Sequence, residues 1–360
     1  MKVLILANND VGLYKFRKEL LERLLEEGHE VVICLPYGSF VEDMKCMGCK
    51  FIKCEIERRG TNPFTDLRLI WKYISILNSE QPDIVFTYTI KPNVYGGLAC
   101  GLKKVPYVVN ITGLGTAVEN GGLLQKITLT LYKWGLRKAQ KVFFQNTANK
   151  DFMVNKGIVS GEYDLLPGSG VNLDQYKVLP YPEGNVTRFA FIARVMKEKG
   201  IEQYLDAAKY IKNKYPDTTE FHVCGFCEEG YEQILKELHA KGIINYHGLV
   251  KNVAEIHAIS SCTVHPTYYP EGISNVLLES AACGRPIITT NRPGCREVID
   301  EGVNGYFVES KDSETLINAI ERFLGLEWRV KKLMGIAGRK KVELEFDRKI
   351  VEKMYMNELL

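Results

Sequence analysis

The 360-residue chain has no uncharged apolar run of about 18 residues or more, which excludes a helix long enough to span a membrane. Its opening apolar run, Val3 to Ala7, is too short for a signal-peptide core and runs straight into Asn8-Asn9-Asp10. A chain without such an address is expected in the cytoplasm. There is no Asp-x-Asp pair, and the six histidines show no ligand spacing, so no obligatory metal is expected. Lys and Arg number 47 against 44 Asp and Glu; a net charge of +3 is too small to imply nucleic acid as a partner. Gly113-x-Gly115 lacks the third glycine of a dinucleotide loop, because Val118 stands there, and it does not follow the first strand. A redox enzyme of that kind is excluded.

The ten cysteines are not needed as disulfides in such a compartment. Two pairs, Cys46/Cys49 and Cys224/Cys227, have C-x-x-C spacing, but no nearby histidine completes either set. Small, packed cysteines are the expectation.

What the chain does have is a repeated strand–helix grammar. Apolar strands are expected at Lys2–Ala7, Glu30–Leu35, Asp83–Thr87, Tyr107–Ile111 and Lys141–Gln145, with a short last one at Leu165–Pro167. A stretch holding Pro180, Pro182 and Gly184 reads as a linker. The grammar then restarts at Arg188–Ile192 and continues through Glu220–Cys224, Ile244–His247, Cys262–Pro266, Ile287–Thr290 and Gly305–Val308. Continuous apolar strands separated by helices predict parallel sheets covered on both faces. The fold class is therefore α/β, two doubly wound domains facing a central cleft. The expected boundaries are 1–176 and 177–341, with a helix near 342–360 packing back on the first domain. The first 176 residues carry a net +4 and the remainder a net −1, a hint that the halves bind different things.

Two motifs carry the chemistry. Glu271-Gly272-Ile273-Ser274-Asn275-Val276 leads to Glu279 across a strand–loop–helix junction. Glu271 is placed at the sheet edge, and Gly272 to Val276 lie where unpaired N–H groups favour phosphate or sugar oxygens. Glu279, two turns on, either meets a ribose diol or lies on a solvated stripe. After Arg188–Ile192 come Arg194 and Lys199-Gly200, flanking another strand-to-helix loop. A forked guanidinium and a mobile ammonium at one sheet edge suit a departing diphosphate. Alone, that loop is an ordinary basic turn; with both motifs in one domain, chance is the poorer account.

Arg194-x4-Lys199-Gly200 followed by Glu271-x7-Glu279 is similar to the donor-site signature of the retaining GT-B glycosyltransferases of family 4. The likeness extends to Gly294-Cys295-Arg296-Glu297 and Gly302-Val303-Asn304-Gly305. It implies that Arg194 and Lys199 hold the diphosphate and Glu279 the ribose. Glu271 with Gly272, Ile273, Ser274, Asn275 and Val276 would hold the donor sugar, and the segment around Val250 the base. Glu271, Arg194 and Lys199 are then the catalytic set, the leaving phosphate takes the acceptor proton, and no cofactor is required beyond a nucleotide sugar, a UDP-sugar. Gly12, in the first loop, is expected to let the backbone approach the donor phosphates. Thr112 stands where many relatives carry a histidine.

Thr89-Ile90-Lys91-Pro92-Asn93-Val94-Tyr95-Gly96, with Thr112-Gly113-Leu114-Gly115, resembles a bacterial subgroup that extends undecaprenyl-diphosphate-linked sugars for capsule, O-antigen or glycoprotein assembly. The resemblance implies a polyprenyl-diphosphate-linked saccharide as acceptor, and points to Arg58, Arg59, Lys91, Asn93, Thr112 and Gly113 as acceptor contacts. Lys126, Lys133, Arg137 and Lys141 fall on one helical face beside Leu123, Leu124, Ile127, Leu131, Tyr132 and Trp134. Such a face suits the anionic inner surface of a cell membrane, or equally a core helix with a solvated edge. A nucleotide-sugar epimerase or a phosphorylase on the same fold is the alternative enzyme, and a two-domain solute-binding protein the non-enzymatic one.

Overall fold

A computed structural model of the chain describes residues 1–57, 62–119, 121–228 and 230–359. Thirteen strands are formed among the described residues. Seven build the first sheet: β1 (Lys2–Leu6), β2 (Glu30–Leu35), β3 (Lys50–Lys53), β4 (Ile84–Tyr88), β5 (Tyr107–Ile111), β6 (Lys141–Phe144) and β7 (Tyr163–Leu165). Six build the second: β8 (Thr187–Ile192), β9 (Thr219–Cys224), β10 (Asn245–Gly248), β11 (Cys262–His265), β12 (Ile287–Thr290) and β13 (Gly305–Val308).

The first sheet runs β3-β2-β1-β4-β5-β6-β7 and the second β10-β9-β8-β11-β12-β13, with parallel pairing throughout. Both are doubly wound as the alternating grammar predicts. β1 shows why: Val3 and Ile5 face one apolar layer while Leu4 and Leu6 face the other, and all four are buried. β3 (Lys50-Phe51-Ile52-Lys53) was not expected from the sequence; it is short, half-exposed, and bordered by lysines that suit a sheet edge. The last strand of the first sheet lies at Tyr163–Leu165, two residues before its expected place.

The chain divides into two compact units. One comprises Met1–Gly170, Pro270–Ile273 and Arg348–Leu360; the other comprises Val171–Tyr269 and Ser274–Asp347. The first segment thus ends six residues before the expected boundary. The charged tail, expected to pack back from about 342, returns only at Arg348, because the helix Trp328–Glu345 stays with the second unit. The helix Arg348–Asn357 is anchored in the first unit at both ends. The Arg348 guanidinium grips the Glu19 carboxylate at 2.7 and 2.8 Å, and the Tyr355 hydroxyl accepts from Asn110 Nδ2 at 2.7 Å. Tyr355 is fully enclosed between the rings of Phe86 and Phe143.

The second unit encloses two histidines that must stay neutral. Burial, with the Arg285 guanidinium nearby, pushes His257 down to about 3; burial and His247 push His222 down to about 4. Neither ring nitrogen of His257 has a partner among the described residues. Both folded values lie below the ordinary 6.5, so the unfolded chain binds more protons once the pH drops below about 6.5. Stability is therefore full above that pH and declines as the pH falls, by about 1.4 kcal/mol per pH unit for each histidine. Urea titrations between pH 7 and 5 should show this slope, and a His222→Gln/His257→Gln variant should flatten it. An unaltered slope in the variant would mean that other groups set it.

Candidate active site

In a doubly wound sheet the ligand crevice forms where neighbouring strands send their chains in opposite directions. In the second unit that point lies between β8 and β11. The loop after β8 carries Arg194 and Lys199; the loop after β11 carries Thr267, Tyr268 and Tyr269. They are tied together by backbone: Tyr268 N–H donates to the Glu198 carbonyl at 2.8 Å, and the Thr267 hydroxyl to the same oxygen at 3.2 Å. Gly200 makes that closeness possible. Its φ is +79°, and a Cβ there would drive into the Pro266 carbonyl.

The two cations predicted to hold a diphosphate converge on one ring. Arg194 Cζ stands 5.5 Å and Lys199 Nζ 5.0 Å from the centroid of Tyr269. Lys199, only 8% exposed, sits at the end of the short 3-10 turn Lys197–Lys199, and Arg194 is paired with the Glu228 carboxylate. The shared ring and Glu228 are the residues that sequence reasoning missed. Tyr269 was visible as part of Thr267-Tyr268-Tyr269-Pro270, but a ring that meets two cations five residues apart in another loop has no linear signature.

The helix Asn275–Ala282 follows, with Ser274 before it. Ser274 N–H donates to the Gly294 carbonyl at 2.8 Å, and Gly294 N–H in turn donates to the Glu297 carboxylate at 2.7 Å. Burial raises the Glu297 carboxyl above its ordinary range. Gly294-Cys295-Arg296-Glu297 thus supports the start of this helix. Glu279 lies half-buried further along it. Val276 and Val250 share a small apolar cluster with Ile192, Cys224 and Ile256, which joins the segment after β10 to the same helix.

Glu271, Gly272 and Ile273 belong to the first unit. They are seated against the ends of β5 and β6. Asn146 Nδ2 donates to the Gly272 carbonyl at 2.7 Å and to the Glu271 carbonyl at 3.2 Å, and Ile273 N–H donates to Gln145 Oε1 at 3.4 Å. Thr112 and Gly113 line the same seat: a Cβ on Gly272 would strike the Thr112 carbonyl, and one on Gly113 would press on Pro270 and Gly272.

Four expected placements need correction. Gly12 is not in a loop; it lies in the first turn of the helix Asp10–Glu26, and its N–H is taken by the capping Asn9 Oδ1 at 2.6 Å. Asn93 is wholly enclosed in the π-turn Pro92–Gly96, where its Nδ2 donates to the Asn110 carbonyl at 2.9 Å, so it is a framework residue and not an acceptor contact. The Lys91 ammonium beside it is engaged by Asp66 at 2.7 Å. Lys141 is not on the helix of Lys126 and Lys133, which ends at Leu136; it begins β6, 3.8 Å from Glu162 and 4.0 Å from Glu358. Arg58 and Arg59 lie outside the described residues. Among the described residues no group of three or more His, Cys, Asp or Glu stands close enough to hold a metal ion, and no helix is long and apolar enough to cross a membrane.

Residues 2–146 match the model of the glycosyl transferase 4-like family, and residues 182–341 that of the glycosyl transferases group 1. Among curated proteins the chain is similar to the N,N'-diacetylbacillosaminyl-diphospho-undecaprenol alpha-1,3-N-acetylgalactosaminyltransferase of Campylobacter jejuni. The two are 25% identical, with 99% of this chain and 97% of that protein covered. It is also similar to the Escherichia coli UDP-Gal:alpha-D-GlcNAc-diphosphoundecaprenol alpha-1,3-galactosyltransferase, at 24% identity over 73% of this chain and 72% of that one. In three dimensions it is similar to Anabaena HepE, solved with UDP and glucose, with a TM-score of 0.80 at 18% identity, covering 100% of this chain and 99% of HepE.

The Gly200–Pro266 approach gives a direct test. Gly200→Ala should lower unfolding stability by about 2–4 kcal/mol in urea titration, through left-handed strain plus the clash. A loss under about 0.5 kcal/mol would mean that the two loops are not locked together.

Proposed function

We propose, from the premise that the chain belongs to the GT-B glycosyltransferases, with a glycosyl transferase 4-like first part and a group 1 second part, that it moves a hexose or N-acetylhexosamine from a UDP-sugar to a polyprenyl-diphosphate-linked saccharide. Membership of an enzyme family sets aside the solute-binding alternative. The observation that carries the donor assignment is the convergence of Arg194 and Lys199 on Tyr269 at the switch point of the second sheet. The acceptor assignment is supported by the undecaprenol-linked substrates in the names of both curated relatives.

In this reading the second unit binds the nucleoside diphosphate, and the first unit contributes the acceptor contacts and the Glu271–Ile273 segment that meets the donor sugar. Arg194 and Lys199 hold the diphosphate and offset the charge that grows on it as the glycosidic bond breaks. Val250 and Val276 contribute an apolar wall for the base, and Glu279 accepts hydrogen bonds from the ribose. Glu271, with the backbone of Gly272 to Asn275, orients the donor sugar. The departing diphosphate takes the proton of the acceptor hydroxyl on the face the bond leaves, so configuration is retained and neither a protein base nor a metal is required. Thr112 and Gly113 stand on the acceptor side of Glu271.

A lipid-linked acceptor calls for contact with the inner membrane surface. The helix Gly122–Leu136 turns Tyr132, Leu129 and Leu136 into the core and leaves Leu123, Ile127 and Trp134 exposed, with Lys126, Lys133 and Arg137 along one edge of that stripe. The helix Pro63–Glu80, in the same unit, exposes Phe64, Leu67 and Trp71 at helical spacing. Aromatic and aliphatic side chains beside lysines suit an anionic bilayer surface.

Single variants Arg194→Ala, Lys199→Ala, Glu271→Ala and Glu279→Ala should each lower kcat/KM with a UDP-sugar and a polyprenyl-diphosphate-linked acceptor, by roughly a hundredfold for the two cations. Near-normal turnover in both cation variants would discard the donor site. Removing Lys126, Lys133 and Arg137 together should weaken co-sedimentation with anionic liposomes by several-fold and leave binding to neutral ones unchanged. Equal binding to anionic liposomes would refute the membrane face.

A further inference from the structure

We propose that Asn146 is a positioning residue for sugar transfer, acting by holding the backbone of Glu271 and Gly272. The inference rests on the reading that Glu271 meets the donor sugar, and it adds a residue that neither motif contains.

Asn146 lies between β6 and the helix Thr147–Asn155 and is 2% exposed. Its two amide ends do different work. Oδ1 accepts the Asn149 N–H at 2.8 Å, which caps the helix. Nδ2 faces the carbonyls of Glu271 and Gly272. A flipped amide would set oxygen against two acceptors and nitrogen against a donor, so only one orientation satisfies every partner. The neighbouring Gln145, also buried, accepts Ile273 N–H through Oε1. Two consecutive residues therefore grip three consecutive residues of the loop.

The seat tolerates no slack. A Cβ on Gly272 would collide with Gln145 Oε1 and with the Thr112 carbonyl, and a Cβ on Gly168 would collide with Ile273. The Pro270–Ile273 backbone is thus fixed within the first unit, and the Glu271 side chain leaves from a peptide whose carbonyl Asn146 holds. Loss of that donor frees the loop by fractions of an ångström, which is enough to misplace a group that must orient a sugar. Arg194 and Lys199, the proposed diphosphate contacts, belong to the second unit, and Asn146 makes no hydrogen bond to either.

Asn146→Ser and Asn146→Asp both retain an oxygen to cap the helix, and neither reproduces the double donation. They should lower kcat fivefold or more for the UDP-sugar that the wild type turns over. Affinity for UDP by calorimetry should stay within about threefold and the melting temperature of Asn146→Ser within about 3 °C. Less than a fivefold loss of kcat in both variants would overturn the proposal, and so would loss of UDP affinity and melting temperature together, the mark of a purely structural role. Glu271→Gln measured in parallel separates the two levels. Normal turnover there removes the Glu271 reading and this inference with it; crippled turnover there beside normal turnover in both Asn146 variants removes only the inference.

Discussion

At the switch point of the second sheet, β8 and β11 lie side by side, and the loops leaving them must share very little space. The glycine at 200 resolves that conflict by adopting a left-handed conformation against the Pro266 carbonyl. A third loop joins the same stack: Gly225, after β9, has a φ of +147°, and a side chain there would enter the Ala193 carbonyl. Three strand ends are thus packed backbone to backbone. Arg194 and Lys199 leave from one loop held by these contacts, and charges held in place can stabilise an anion without reorganising.

Holding two cations near one another has a cost when no anion is bound. The ring of Tyr269 offsets part of it, since its centroid lies 5.0 Å from the ammonium and 5.5 Å from the guanidinium carbon. The Glu228 carboxylate offsets more on the Arg194 side. In the proposed reading a diphosphate would engage both cations at once, and the guanidinium offers it a bidentate fork. On that reading the near burial of Lys199 would strengthen its hold on the anion, because a shielded ammonium interacts more strongly than one in bulk water.

The sheet architecture was legible in the sequence because strands buried on both faces are written as unbroken apolar runs, as in Val3 to Leu6 or Val31 to Leu35. β3 was not, because Lys50-Phe51-Ile52-Lys53 is an edge strand and carries no such run. The places of the cationic and acidic motifs were legible because each falls in the segment that follows a strand, β8 for the first and β11 for the second. Tyr269, Glu228 and Asn146 were not, because their roles depend on which loops the sheet order brings together. Gly12 and Asn93 were misread for a related reason. Local spacing shows that a glycine or an amide is present, but not that a helix has begun at Asp10 or that a π-turn has enclosed position 93. Lys141 keeps the helical period of Lys126 and Lys133 on paper, yet the helix stops at Leu136 and the period no longer applies.

The helix Gly122–Leu136 carries more apolar surface than its packing in the first unit uses. Its composition fits a core helix with a wet edge as well as a membrane-facing one. Burial separates the apolar residues into two groups: Leu129, Tyr132 and Leu136 complete the packing of the first unit, while Leu123 and Trp134 are 74% and 58% exposed. A core helix needs only the first group. A second apolar stripe directed at water gains no packing, and a contiguous one of this kind suits an interaction surface. Phe64 and Trp71 on the helix Pro63–Glu80 repeat the pattern within the same unit, and the lysines and arginine beside the first stripe give the covering surface a sign. An anionic, apolar-cored layer is what a lipid-linked acceptor would bring with it, so the exposed stripes and the proposed substrate account for one another.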